Sequence, residues 1–154
     1  MVNIKDFKID HDKIKEKYSH LVDLPDNNIG MLSIIFERQK ELMEKYANIE
    51  LRNHAIVPSA EKHGDLDDRQ IQIRIKDMMW RCVEELGEAA NTLKNKPWKD
   101  DAKFTDKEHF YEEIADAFHF FVEMCIVSGI GPSDLFNLYF LKSEVNKFRQ
   151  RSGY

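Results

Sequence analysis

Chain-breaking residues are scarce in this protein. Its 154 residues include six glycines and four prolines, too few for the closely spaced turns of an all-β fold. Strict alternation of apolar and polar residues is almost absent, and helical spacing dominates. The only two cysteines, Cys82 and Cys125, fall within apolar helical stretches, which fits reduced, buried thiols rather than a disulfide scaffold. No run of 18 apolar residues exists, so no membrane span is expected. Residues 1–17 are charged throughout and lack the apolar core of a signal peptide, so a cytoplasmic location is expected. There is no basic excess: 23 Lys and Arg against 28 Asp and Glu leave a net charge of −5. That argues against direct nucleic-acid binding, but not against an anionic small molecule, because bound cations can invert a local field.

What is present reads as one all-α domain over residues 1–154, with hydrophobic content of 42% and charged content of 33%. Residues 1–28 form an N-terminal extension, with a short helix around Ile14, Tyr18 and Leu21 and a turn at 25–28. A first clear helix is expected over about 30–47, with Leu32, Ile35, Phe36, Gln39, Leu42, Met43 and Tyr46 on one stripe. Residues 48–66 show no convincing period and read as a long loop. A second helix starts near Asp67 or Asp68 and stops at Lys96-Pro97. A third starts near Thr105-Asp106, where Glu108 completes a capping-box pattern, and ends around Ser128-Gly129. Gly131-Pro132 opens a fourth.

Two acidic motifs lie on the second and third helices: Glu84-Glu85-Leu86-Gly87-Glu88 and Glu112-Glu113-Ile114-Ala115-Asp116. At about 100° per residue, Glu85 and Glu113 fall at the edges of their apolar faces. Glu88 and Asp116 lie about 60° further out, and Glu84 and Glu112 are nearly opposite the core. A single acidic pair usually means a solvated helix face. Two pairs of matched phase would repel one another when packed unless cations offset them. Glu85, Glu88, Glu113 and Asp116 therefore form a candidate site for Mg²⁺, with Mn²⁺ as a possible substitute. His119, three residues after Asp116, is either a surface group or a neighbour of that site. On the fourth helix Lys142, Asn146 and Arg149 share a face that could grip phosphate oxygens.

The spacing Glu85-x-x-Glu88, 24 residues, then Glu113-x-x-Asp116 resembles that of the all-α nucleoside triphosphate pyrophosphohydrolases, the MazG and dimeric dUTPase superfamily. Pro97-Trp98-Lys99 and Asp116-Ala117-Phe118-His119-Phe120-Phe121 resemble segments of the dimeric dUTPases. The run over 138–154, ending in Gly-Tyr, is similar to the C-terminal motif of bacteriophage dCTP/dUTP pyrophosphatases in that family. The resemblance implies a four- to five-helix bundle and a homodimer, with the host cytoplasm as location for a phage-encoded chain. It also implies conversion of dUTP, and of dCTP, to monophosphate and pyrophosphate. In its terms Glu85, Glu88, Glu113 and Asp116 hold the metal, and Glu85 orients the attacking water. Lys142, Asn146 and Arg149 hold phosphates, while Gln39, Trp98 and His119 lie by the nucleoside. The first helix lacks a clear counterpart of an asparagine that helps to read uracil, because Met43 lies near that place. Two alternatives stay open: a MazG-type housecleaning enzyme for other nucleotides, and a metal-binding helical bundle without hydrolytic chemistry.

Overall fold

The computed structural model describes residues 30–93 and 105–151, with Glu16 and Trp98 as isolated positions. The expected helix around Ile14, Tyr18 and Leu21, the 25–28 turn and the Lys96-Pro97 stop lie outside the described residues. Among the described residues from 30 onward four α-helices follow in order: α1 (Met31–Arg52), α2 (Arg69–Thr92), α3 (Lys107–Val127) and α4 (Pro132–Arg151). A 3-10 turn (Ala60–Lys62) lies between α1 and α2. The described residues contain no strand, and the all-α expectation holds.

The helix ends follow local chemistry. Asp68 caps α2, its carboxylate accepting from the amides of Gln70 and Ile71 at 2.7 and 3.2 Å. Asp106 caps α3 by accepting from His109 N at 3.2 Å. That cap sits one residue beyond the Thr105–Glu108 pattern, because the Asp106 carboxylate reaches the orphan amide three residues on. At the far end of α3, Gly129 adopts φ 75°. Its amide bonds to Ile126 O and that of Ile130 bonds to Cys125 O, the paired closure of a Schellman motif. Pro132 opens α4, and Asp134 accepts from Gly131 N at 3.0 Å.

The first helix runs further than its expected end near residue 47, to Arg52. Glu50 explains the extra turn: its carboxylate takes two hydrogen bonds from Arg74 Nη2 at 3.0 and 3.1 Å, docking the end of α1 on α2. The loop expected over 48–66 is shortened accordingly and contains the 3-10 turn.

α3 is the central helix. α2 packs along one side of it and α1 along another. Ala117, Val122, Cys125, Ile126 and Val127 are all buried, and by rotation they point in every direction, as a helix covered on several sides requires. Val122, Cys125 and Ile126 meet Phe36 of α1, with Leu32, Met43, Phe121, Ile130 and Leu135 around them. Each large apolar side chain so buried contributes roughly 1.5–3 kcal/mol. α2 adds Ile71, Met78 and Ala89. α4 behaves differently. It leaves α3 at 103°, touches α1 and buries none of its residues. No single described helix is long and apolar enough to cross a membrane.

Candidate active site

The α2–α3 contact places Glu85, Glu113 and Asp116 together. One carboxylate oxygen from each lies within 4.8 Å of the others. Glu113 is buried, Glu85 partly buried and Asp116 exposed, so the trio runs from the helix seam to solvent. Burial, then a hydrogen bond with Glu113, then the charges of Glu113, Asp116 and Glu88 push the Glu85 carboxyl up to about 7. Glu88 is exposed and stands outside the trio, but close enough for its charge to act on Glu85. Glu84 is exposed as its phase requires, whereas Glu112, expected in solvent, is half-buried. His109 Nε2 meets Glu113 Oε1 at 2.6 Å, one helical turn away. That partner went unnoticed in the sequence, although its i, i+4 spacing was the available signal.

Beside the trio lies a cavity of about 340 Å³. Gln39 and Tyr46 line it from α1, Arg74 and Glu85 from α2, and Asp116, His119, Phe120 and Glu123 from α3. Gln39, the polar residue in the apolar stripe of α1, is 4% exposed. Its Nε2 donates to Glu123 Oε2 at 3.3 Å, and its Oε1 lies 2.7 Å from His119 Nδ1. Arg74 Nε donates to Glu123 Oε1 at 2.9 Å, and Arg74 Nη2 donates to both Glu123 and Glu50. Burial opposes the Arg74 charge, but Glu123 and Glu50 outweigh it and raise the guanidinium's pKa. Burial raises the Glu123 carboxyl above the ordinary glutamate value, with Arg74 acting against that rise. Every buried side-chain nitrogen and oxygen among the described residues has a partner.

Sequence reasoning missed Arg74 and Glu123, although each carries a signal. Arg74 stands three residues from Ile71 and four from Met78 on the buried face of α2, and Glu123 interrupts the apolar run from Phe120 to Val127. A charge on the apolar phase of each of two packed helices points to a buried pair.

The remaining candidates fall elsewhere. Lys142 and Asn146 line a separate open depression of about 390 Å³ along α4, and Arg149 lies in the last turn of that helix. A single chain therefore does not bring the α4 stripe into the cavity that holds the carboxylates. Trp98 is an exposed turn residue.

The carboxylates cluster on two packed helices of an all-α bundle, beside a cavity with a partly polar lining, and the all-α architecture is consistent with the resemblance to the all-α nucleoside triphosphate pyrophosphohydrolases. Two relatives carry the likeness further. The chain is 28% identical over 146 residues to the dCTP pyrophosphatase of Enterobacteria phage LZ5, covering 83% of this chain and 85% of that protein. It is 28% identical over 142 residues to the dCTP pyrophosphatase of Enterobacteria phage T4, covering 80% and 82%. No family model matches the chain, and no solved structure does.

Proposed function

We propose that this chain is a Mg²⁺-dependent pyrophosphohydrolase that converts the pyrimidine deoxynucleoside triphosphates dUTP and dCTP to monophosphate and pyrophosphate. The observation that carries the reading is the Glu85–Glu113–Asp116 trio, whose oxygens crowd within 4.8 Å, with burial and then these neighbours raising the Glu85 carboxyl to about 7. A cluster made of carboxylates, with no cysteine among its members, suits a hard divalent cation. Glu85, Glu113 and Asp116, with Glu88 at the rim, would hold Mg²⁺, which offsets triphosphate charge and lowers the pKa of water. Glu85 lines the cavity, where it can orient the attacking water and accept its proton. The phage relatives named dCTP pyrophosphatases support the reaction class and a pyrimidine substrate.

The reading includes a second copy of the chain. On α4, Leu138, Tyr139, Phe140 and Leu141 are all more than half exposed, an apolar surface suited to a partner. A homodimer that covers α4 would bring Lys142, Asn146 and Arg149 to the phosphates of a substrate held at the carboxylates.

Purified protein with Mg²⁺ and a panel of deoxynucleoside triphosphates tests the proposal. Equimolar monophosphate and pyrophosphate are expected, falling at least about 100-fold in Glu85→Gln. Absence of pyrophosphate from every nucleotide would sink the hydrolase reading, and orthophosphate with a diphosphate would assign another reaction.

A further inference from the structure

We propose that His109 is a positioning residue: by donating to Glu113 it fixes the orientation of that carboxylate for a divalent cation at the Glu85–Glu113–Asp116 trio. This rests on the reading of the trio as a Mg²⁺ site.

Glu113 is the buried member of the trio. A buried carboxylate has little water to fill its lone pairs, so protein donors decide which way it faces. Among the described residues its polar partners are Glu85, across the helix seam, and His109, one turn back on α3. His109 Nε2 lies 2.6 Å from Glu113 Oε1. An ionised carboxylate can only accept, so Nε2 carries the hydrogen. Helical side chains lean toward the N-terminus, which tilts Glu113 back toward His109 while Asp116 follows one turn ahead. The ring is anchored in turn, because the His109 amide donates to the Asp106 cap at 3.2 Å.

The two contacts of Glu113 differ in kind. Its hydrogen bond with Glu85 needs a proton shared between two carboxylates, and that proton cannot stay once both bind a cation. The bond from His109 brings its own hydrogen and is compatible with an ionised Glu113. With Oε1 held by the ring, Oε2 is the oxygen whose lone pairs are left for a cation shared with Glu85 and Asp116. An exposed pair at this spacing would be worth little. Here the Glu113 side chain is 9% exposed and that of His109 is 53% exposed. The ring therefore serves a buried charge, yet can be replaced without opening the core.

Binding of Mn²⁺ to the full chain, read by electron paramagnetic resonance of the free ion, tests the proposal without turnover. His109→Leu should weaken Mn²⁺ binding at least about tenfold. His109→Gln, which keeps an N–H donor at similar reach, should recover most of that loss, whereas a merely structural role for the ring would not be rescued. Both variants should retain the parent's helical circular dichroism. Should His109→Leu not fold, nitrogen-15 NMR of the parent chain decides: the His109 ring should keep a bonded hydrogen at Nε2 before and after Mg²⁺ is added. No Mn²⁺ binding by the parent, unchanged or tighter binding in His109→Leu, equal losses in both variants, or loss of the Nε2 hydrogen bond with Mg²⁺ overturns the proposal. A chain that shows the expected affinities yet releases no pyrophosphate removes the hydrolase reading and leaves this one standing. Pyrophosphate release with full Mn²⁺ affinity in His109→Leu does the reverse.

Discussion

Burial first, and then the neighbouring carboxylates, make the charged form of Glu85 costly. Its carboxyl is raised from 4.5 to about 7, so between those values the folded chain binds more protons than the unfolded one. Stability of the metal-free protein should therefore fall as pH rises through that window. In the proposed Mg²⁺ site the ion would favour the ionised carboxylates, so Mg²⁺ should raise the unfolding midpoint more at pH 7.5 than at pH 5. Thermal unfolding with and without Mg²⁺ checks this, and equal stabilisation at both pH values would contradict it. Glu85→Gln should flatten the metal-free pH dependence. Glu85 and Glu113 were legible in the sequence because helical phase puts both at the edges of their apolar faces, whereas phase gives Asp116 and Glu88 the same offset and packing alone brings Asp116 into the trio. Glu88 was only partly legible: rotation gives the face of a helix, and the side chain's final distance depends on packing. Arg74 and Glu123 escaped because phase analysis weighs the apolar residues of a buried face and passes over a charge among them.

At the scale of elements, the helix caps were the most readable features. Gly129 and Pro132 both stand where turn chemistry demands them. Gly129 has a second role that no local pattern contains. A Cβ there would lie 2.7 Å from Gly64 Cα, because the α1–α2 connection docks on the end of α3, with Gly64 N donating to Val127 O at 3.0 Å. Gly129→Ala combines left-handed backbone strain with a backbone clash and should cost about 2 kcal/mol or more. Chemical denaturation measures that loss, and Gly87→Ala, where an added Cβ meets nothing within 4 Å, serves as the control. The end of α1 was illegible for a related reason: Glu50 finds its partner Arg74 24 residues away in sequence, and local periodicity cannot anticipate that bond.

For the whole molecule, the contrast between α3 and α4 matters most. α3 is covered on several sides within one chain, while α4 exposes Phe148 at 71%, Tyr139 at 72% and Leu141 at 66%. A homodimer through α4 should appear as twice the chain mass in sedimentation. Leu141→Asp with Phe148→Asp should yield a monomer with α1–α3 intact by circular dichroism, and with nucleotide hydrolysis sharply reduced. A wild-type monomer with full activity would remove the second copy from the proposal.

The described residues that line the cavity beside the carboxylates are all helical, drawn from α1, α2 and α3. Among the described residues its geometry is thus fixed by the register of packed helices, and the α1–α2 connection supplies none of its walls. The chemistry and the chain's tolerance to change are housed separately. Exposed positions of the α1–α2 connection away from Gly64 are open to substitution or insertion without displacing a single cavity-lining residue, and a tag or fluorophore placed there would report on the enzyme without entering its site.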